Sequence, residues 1–383
     1  MKIVILRELH PGETRVAGVP ETVSRYVRAG NQVAVESQAG EGSFIPDSAY
    51  SAAGASIVSD VAPDLAQADL VLKVMPPLGQ GPRDEVAMLK SGCVLVAMLG
   101  PQDNAPLVEQ LARKNITSFS LDQMPRITRA QSMDVLSSMS TLTGYKAMLM
   151  AMDNLPRISP MMMTAAGTIA PAKVLVIGAG VAGLQAVGTA RRLGAIVTVV
   201  DARPAVRQEA ESLGAKFVGL EVEHAQAQGA GGYAADLGEE FYQQEQKVLS
   251  PHVLAADVVI TSALVPGRRA PILITEAMVS QMKSGSVIVD LAGSAGGNCT
   301  LSKPDQRVVH AGVTILAPLN LPVLLSVNAS QMYSRNVSAF LGELIQEGQI
   351  KLDMSNEILR ATLVTHEGQV VSAAGPAAKG GPQ

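Results

Sequence analysis

"KVLVIGAGVAGLQAVGTARRLGAIVTVVD", Lys173 to Asp201, decides the fold. It opens on an apolar run, passes through a glycine-rich turn, continues with a helical pattern and closes on a second apolar run. Strand, turn, helix, strand is the repeating unit of a doubly wound parallel sheet. Gly178, Gly180 and Gly183 supply G-x-G-x-x-G between the first strand and the helix, the context in which the motif carries meaning. Gly178 permits the tight turn, Gly180 lets the backbone approach a pyrophosphate, and Gly183 lets helix and strand pack closely. The helix start, with Val181 and Ala182, offers free N–H groups and a positive dipole end to phosphate. Asp201 ends the second strand, 201 − 178 = 23 positions on. A carboxylate there accepts from ribose hydroxyls and repels a 2′-phosphate, which favours NAD(H) over NADP(H). Arg203 could greet such a phosphate, but Asp201 holds the strand-end position itself.

The alternation continues on both sides. Downstream, "AKFVGL", "ADVVITSAL", "GSVIVDLAG" and "GVTILAPLN" read as strands, with "TEAMVSQMKSG" among the helices. Upstream, "KIVIL", "NQVAVES", "SIV", "ADLVLKVMPP", "CVLVAML" and "ITSFSL" alternate with "PETVSRYVRAG", "PDSAYSAAG", "RDEVAMLKSG" and "NAPLVEQLARKN". The fold class is α/β, with two doubly wound, Rossmann-like parallel-sheet domains and a cleft between them. A long helical pattern runs from Asp134 to Met152, and the proline-bearing "MDNLPRISPMMMTAAGTIAPAK" reads as a crossing into the second domain. The pattern "LPVLLSVNASQMYSRNVSAFLGELIQEG" returns to the first domain. The expected organisation is residues 1–140 completed by 325–370, a nucleotide-binding domain over 141–324, and an Ala/Gly/Pro-rich tail, 371–383, read as flexible.

Composition narrows the class. Of 383 residues, 47% are hydrophobic and 17% charged, so a packed core rather than disorder is expected. Net charge is −4 with no long basic run, which excludes a phosphate-tracking surface and makes nucleic acid a poor partner. Mean hydropathy is high at +0.23, yet no clean run of ~20 apolar residues appears, so no direct membrane insertion is expected. The N-terminus reads as a first strand rather than a signal peptide. Cys93 and Cys299 lack metal-ligand spacing, so no metal is expected and a reduced, cytoplasmic setting is the default. The 17 methionines and absent tryptophan suggest an adaptable interior.

Other segments attach to the nucleotide end. "VITSALVPG" and "GSVIVDLAGSAGGN" end strands on the carboxyl side of the sheet, where nucleotides bind, or are ordinary strand termination. "EHAQAQGAGGYAADLGEE", with Gly232 and Tyr233, interrupts the alternation as a surface insertion or as a mobile lid anchored by Tyr233. His10, His224, His252, His310 and His366 have no motif around them and read as solvated or structural. Lys73 lies among apolar residues at a strand end, either buried and functional or snorkelling. No serine triad, nucleophile elbow, zinc motif or Walker loop is present. "MPRITRAQSMD", Met124 to Asp134, is too polar for a core strand and precedes the fingerprint. Taken alone, it is a polar turn with Asp134 as the N-cap of the helix that follows.

"PRITRAQSMD", "GAGVAGLQA" with Asp201, "GGYA", "TSALVPG" and "DLAGSAGGN" together resemble the NAD(H)-binding component of proton-translocating NAD(P) transhydrogenase, over nearly the whole chain. The form resembled is the bacterial one in which this component is a separate soluble alpha subunit. The resemblance implies a homodimer that binds NAD(H), with NADP(H) on a partner component, and direct hydride transfer between the two nicotinamides. It implies further partners in membrane-spanning proton-channel subunits, and a peripheral place on the cytoplasmic face of the inner membrane. Such transfer creates no proton to remove, in keeping with the missing acid–base set.

By the same resemblance Arg126, Asp134 and Ser137 or Ser138 contact the nicotinamide end, with Ile127, Thr128, Ser132 and Met133 beside them. Arg126 with Asp134 braces the loop, and Gln131 reaches toward the partner's nucleotide. Gly178, Gly180, Val181, Ala182 and Gly183 take the pyrophosphate; Asp201, Ala202 and Arg203 take the adenosine ribose; Gly232, Tyr233, Ala263 and Leu264 flank adenine and ribose. Two other readings share the plan. One is alanine dehydrogenase, whose family uses a Lys, matched by Lys73, and a His where this chain has Met98. The other is a nucleotide-sensing module without turnover, kept open by departures from the transhydrogenase pattern at Ser294 and at Val323 and Leu324.

Overall fold

A computed structural model describes residues 1–81, 83–220, 238–265 and 268–371. The chain divides into two compact units, one comprising Met1–Met139 and the chain from Val323, the other Ser140–Pro322. The segment holding His224, Gly232 and Tyr233, and the tail from residue 372, lie outside the described residues.

In the second unit the strands lie in the order Lys216–Gly219, Ile196–Asp201, Lys173–Ile177, Val258–Thr261, Val287–Asp290, Val313–Leu316 and Arg307–His310. All neighbours are parallel except the last pair. In sequence rank the first five run 3-2-1-4-5, so the direction of winding reverses between Lys173–Ile177 and Val258–Thr261. That reversal is the switch point where doubly wound folds bind ligands. Val258–Thr261 and Val287–Asp290 are buried at every position, as parallel strands covered on both faces must be. One apolar layer gathers Ala147, Met148 and Ala151 with Ala186, Val187 and Ala190; the other gathers Leu249 and Val253 with Met278 and Val279.

In the first unit the order is Gln369–Val370, Leu363–His366, Thr117–Ser120, Val94–Ala97, Leu70–Leu72, Lys2–Ile5, Gln32–Glu36 and Ser56–Val58. The six N-terminal strands are parallel, and the two C-terminal ones extend the sheet antiparallel. The helix Ser326–Leu344 is fixed here by hydroxyls. Ser330 Oγ accepts from Val16 N at 3.0 Å, Ser334 Oγ from Val19 N at 3.1 Å, and Tyr333 donates to Lys73 O at 2.9 Å. Each satisfies a backbone group that burial would otherwise strand.

Several elements depart from the sequence pattern. The proline-bearing crossing carries a two-stranded hairpin, Met162–Thr164 with Gly167–Ile169, exposed at every strand position. The edge strand Arg307–His310 and the C-terminal strands were not evident, being short and antiparallel. A four-residue helical turn, Ala62–Leu65, lies between "SIV" and "ADLVLKVMPP", where the sequence pattern placed no helix.

Candidate functional site

The glycines of the fingerprint do three different jobs. Gly178 has φ +94°, open to glycine at no steric cost. A Cβ on Gly183 would stand 1.9 Å from Gly178 O, so the helix Val181–Arg192 reaches its strand only because that atom is missing. A Cβ on Gly180 would meet nothing within 4 Å: space is left open where the helix starts. Gly180 is the N-cap, and the first intrahelical bond runs from Leu184 N to Gly180 O at 2.8 Å. The preceding N–H groups have no partner within the helix.

The turn is clamped from both neighbouring strands. Ala179 N donates to Asp201 Oδ2 at 2.6 Å, and Ser262 Oγ donates to Gly178 O at 3.1 Å. Asp201 is buried and also accepts from Arg203, through the backbone N at 2.7 Å, Nε at 3.0 Å and a terminal guanidinium nitrogen at 2.8 Å. Ala202 beside it packs on the core. Burial, and then the charge of Asp201, push the Glu245 carboxyl up to about 7. Val181 and Leu264 are 42% and 37% exposed, apolar side chains left at the surface near the switch point. Ala263, between Ser262 and Leu264, is partly buried.

In the first unit Thr128–Met133 forms a 3-10 turn seated on buried Ala130 and Met133. Its top is exposed: Arg126, Thr128, Arg129, Gln131 and Ser132 face solvent, while Ile127 is half-buried. Asn336 Nδ2 donates to Ser132 O at 2.7 Å and Arg129 donates to Asn356 Oδ1 at 2.8 Å, so the C-terminal segment braces the turn. Asp134 precedes the helix Val135–Asn154; its Oδ1 accepts from Ser137 N at 2.9 Å and its Oδ2 from Ser137 Oγ at 2.6 Å. That is an N-cap. Ser138 is half-buried one residue on.

Lys73 is fully buried, 3.2 Å from Glu85 and 3.5 Å from Glu8. It is a buried, paired charge rather than a snorkelling one. Burial dominates at Glu8 and raises its pKa despite the neighbouring Lys73. Met98 N donates to Val74 O at 3.0 Å beside this cluster. Ser294 is exposed, and Val323 O accepts from Thr14 Oγ1 at 2.7 Å. Among the described residues no group of three His, Cys, Asp or Glu could hold a metal, and no helix is long and apolar enough to cross a membrane.

Some site features escaped the sequence. Gly144 is one: a Cβ there would stand 2.0 Å from Ala182 O, so this glycine lets the helix Val135–Asn154 touch the fingerprint. An isolated glycine inside a helical pattern was the available signal. Ser262, Glu245 and Asn336 gave none, because their roles depend on partners distant in sequence.

Residues 4–143 match the model "Alanine dehydrogenase/PNT, N-terminal domain" and residues 147–373 the corresponding C-terminal domain. An NAD(P) transhydrogenase subunit alpha protein of Rhodospirillum rubrum is 47% identical over 97% of this chain and 98% of its own length. A transhydrogenase structure from Sinorhizobium meliloti superposes with TM-score 0.84 at 40% identity, covering 98% of this chain and all of its own (100%). An L-alanine dehydrogenase structure follows at TM-score 0.78 and 26% identity, covering 98% of each chain. The chain belongs to the alanine dehydrogenase/PNT family, on the side of the NAD(P) transhydrogenase alpha subunits.

Proposed function

We propose that the chain is the NAD(H)-binding component of a proton-translocating transhydrogenase and exchanges hydride with NADP(H) held by a separate component. The fingerprint turn supports this most: open at Gly180, closed at Gly183, with buried Asp201 ending the next strand. Bound NAD(H) supplies the hydride-carrying nicotinamide. Val181 and Ala182 stand beside the pyrophosphate with the helix start behind them. Asp201 takes the adenosine ribose with Ala202 and Arg203, a ribose hydroxyl replacing one guanidinium N–H, and its charge repels a 2′-phosphate. Ala263 and Leu264 flank the adenosine, joined by Gly232 and Tyr233. Arg126, Ile127, Thr128, Ser132, Met133, Asp134, Ser137 and Ser138 orient the nicotinamide end, and exposed Gln131 faces the partner's nucleotide.

The chain's residues bind, orient and exclude water; no side chain has to carry a proton. Met98 stands where alanine dehydrogenases carry a histidine, so no group there can handle the amine and alcohol protons, which disfavours alanine dehydrogenase chemistry.

The partners are the NADP(H)-binding component, the membrane-spanning subunits, and a second copy of this chain. The hairpin supports the second copy: Met161 and Met163 are 62% and 74% exposed, and a lone two-stranded hairpin is marginal in water. The working place is peripheral, on the cytoplasmic face of the inner membrane. NADH fluorescence titration tests the nucleotide assignment: tight NADH binding and feeble NADPH binding are expected, with Asp201→Asn narrowing the gap. Equal affinity of the parent for both nucleotides overturns the role given to Asp201.

A further inference from the structure

Asn298 ends the glycine-rich loop that follows the strand Val287–Asp290, and it is fully buried. Its amide grips one residue on both sides. Oδ1 accepts from Ala263 N at 3.1 Å, and Nδ2 donates to Ala263 O at 2.9 Å. Nδ2 also donates to Pro271 O at 2.9 Å. Neither Ala263 nor Pro271 lies in a strand, so no ladder holds them. Asn298 is itself fixed through its backbone. Its N donates to buried Asp290 at 2.8 Å, and its carbonyl accepts from Leu273 N at 2.8 Å and Ile274 N at 3.0 Å. Asp290 further accepts from Thr261 Oγ1, Ala292 N, Cys299 N and Ser302 Oγ. Two strand ends and a loop are thereby locked to one another through the side chains of Asn298 and Asp290.

We infer that Asn298 is a positioning residue for dinucleotide binding: it fixes the backbone of Ala263, so that Leu264 is presented as a rigid apolar contact. The inference rests on the nucleotide site proposed above. A strand-end residue with no ladder partners is ordered at an entropic cost. If Asn298 meets that cost in the free protein, the ligand does not, and affinity rises without any contact between Asn298 and the nucleotide. The side chain type is specific. Only a primary amide offers an acceptor and two donors in one plane. Asparagine reaches Ala263 N, Ala263 O and Pro271 O together. Aspartate keeps the shape but turns an acceptor toward two carbonyls.

The test compares the parent, Asn298→Asp and Ser302→Ala, the last removing one bond to Asp290 without touching Ala263. Titration with NADH and with ADP-ribose should show Asn298→Asp weakening both about tenfold, equivalent to about 1.4 kcal/mol. The hydride-transfer rate at saturating NADH, with an NADP(H)-binding component added, should stay at the parent value. Ser302→Ala should lower Tm and leave both affinities alone. Parent-like affinity in Asn298→Asp overturns the inference, as does a loss of affinity that merely tracks the loss of Tm in both variants. If Asn298→Asp does not fold, amide exchange on the parent decides. Ala263 N–H should be protected as strongly as the strand Val258–Thr261 before any nucleotide is added, and unprotected exchange overturns the inference. A parent that binds no NADH at all overturns the functional reading, and this inference with it.

Discussion

At the scale of single residues, the two later glycines of the fingerprint separate folding from binding. Gly183→Ala drives a methyl into Gly178 O, so it should destabilise by several kcal/mol on the order of other overpacked sites. Gly180→Ala meets no atom. It should fold with Tm near the parent value yet bind NADH much more weakly, because the methyl stands where pyrophosphate approaches; Tm and fluorescence titration read the two effects separately. Glu245 gives a pH signature. Its pKa is raised to about 7 from an ordinary 4.5, so its contribution to stability is whole below about 4.5 and disappears as pH rises through about 7. Glu245→Gln should match the parent in thermal melts near pH 5 and exceed it at pH 8, by roughly 3 kcal/mol at most. The motif glycines and Asp201 were legible because local geometry demands them at fixed spacing. Ser262, Asn298 and Glu245 were not, since each acquires its meaning from a residue at least twenty positions away.

At the scale of elements, parallel strands were legible as apolar runs, while the exposed hairpin Met162–Ile169 and the antiparallel edges were not. Burial on both faces writes a continuous pattern into sequence; a short exposed strand writes none. The polar segment before the long helix shows the same limit. Its capping role at Asp134 could be read locally, but its bracing by Asn336 and Asn356 could not, because those come from the far end of the chain. Asp134→Ala should cost about 1 kcal/mol through the lost cap, measurable by denaturant midpoint. A larger fall in hydride transfer than in stability would assign Asp134 a role at the nicotinamide as well. Replacing Met161, Met162 and Met163 with serine should leave the fold intact and yield a monomer by light scattering. An unchanged dimer would remove the hairpin from the interface.

At the scale of the whole molecule, the claim is a division of labour: this chain holds one nicotinamide and a partner holds the other. The reaction then needs apposition and dryness rather than an acid or base. Gln131 should matter to that apposition. Gln131→Asn should slow transfer far more than it weakens NADH binding, and a matched loss in both would mean that Gln131 only shapes its loop. The most direct measurement uses NADH carrying deuterium at the transferring position of the nicotinamide ring, with the chain mixed with an NADP(H)-binding component and NADP+. The account predicts no turnover by the chain alone and, in the mixture, deuterium recovered in NADPH without loss to water. Turnover by the isolated chain, or deuterium lost to solvent, would contradict it.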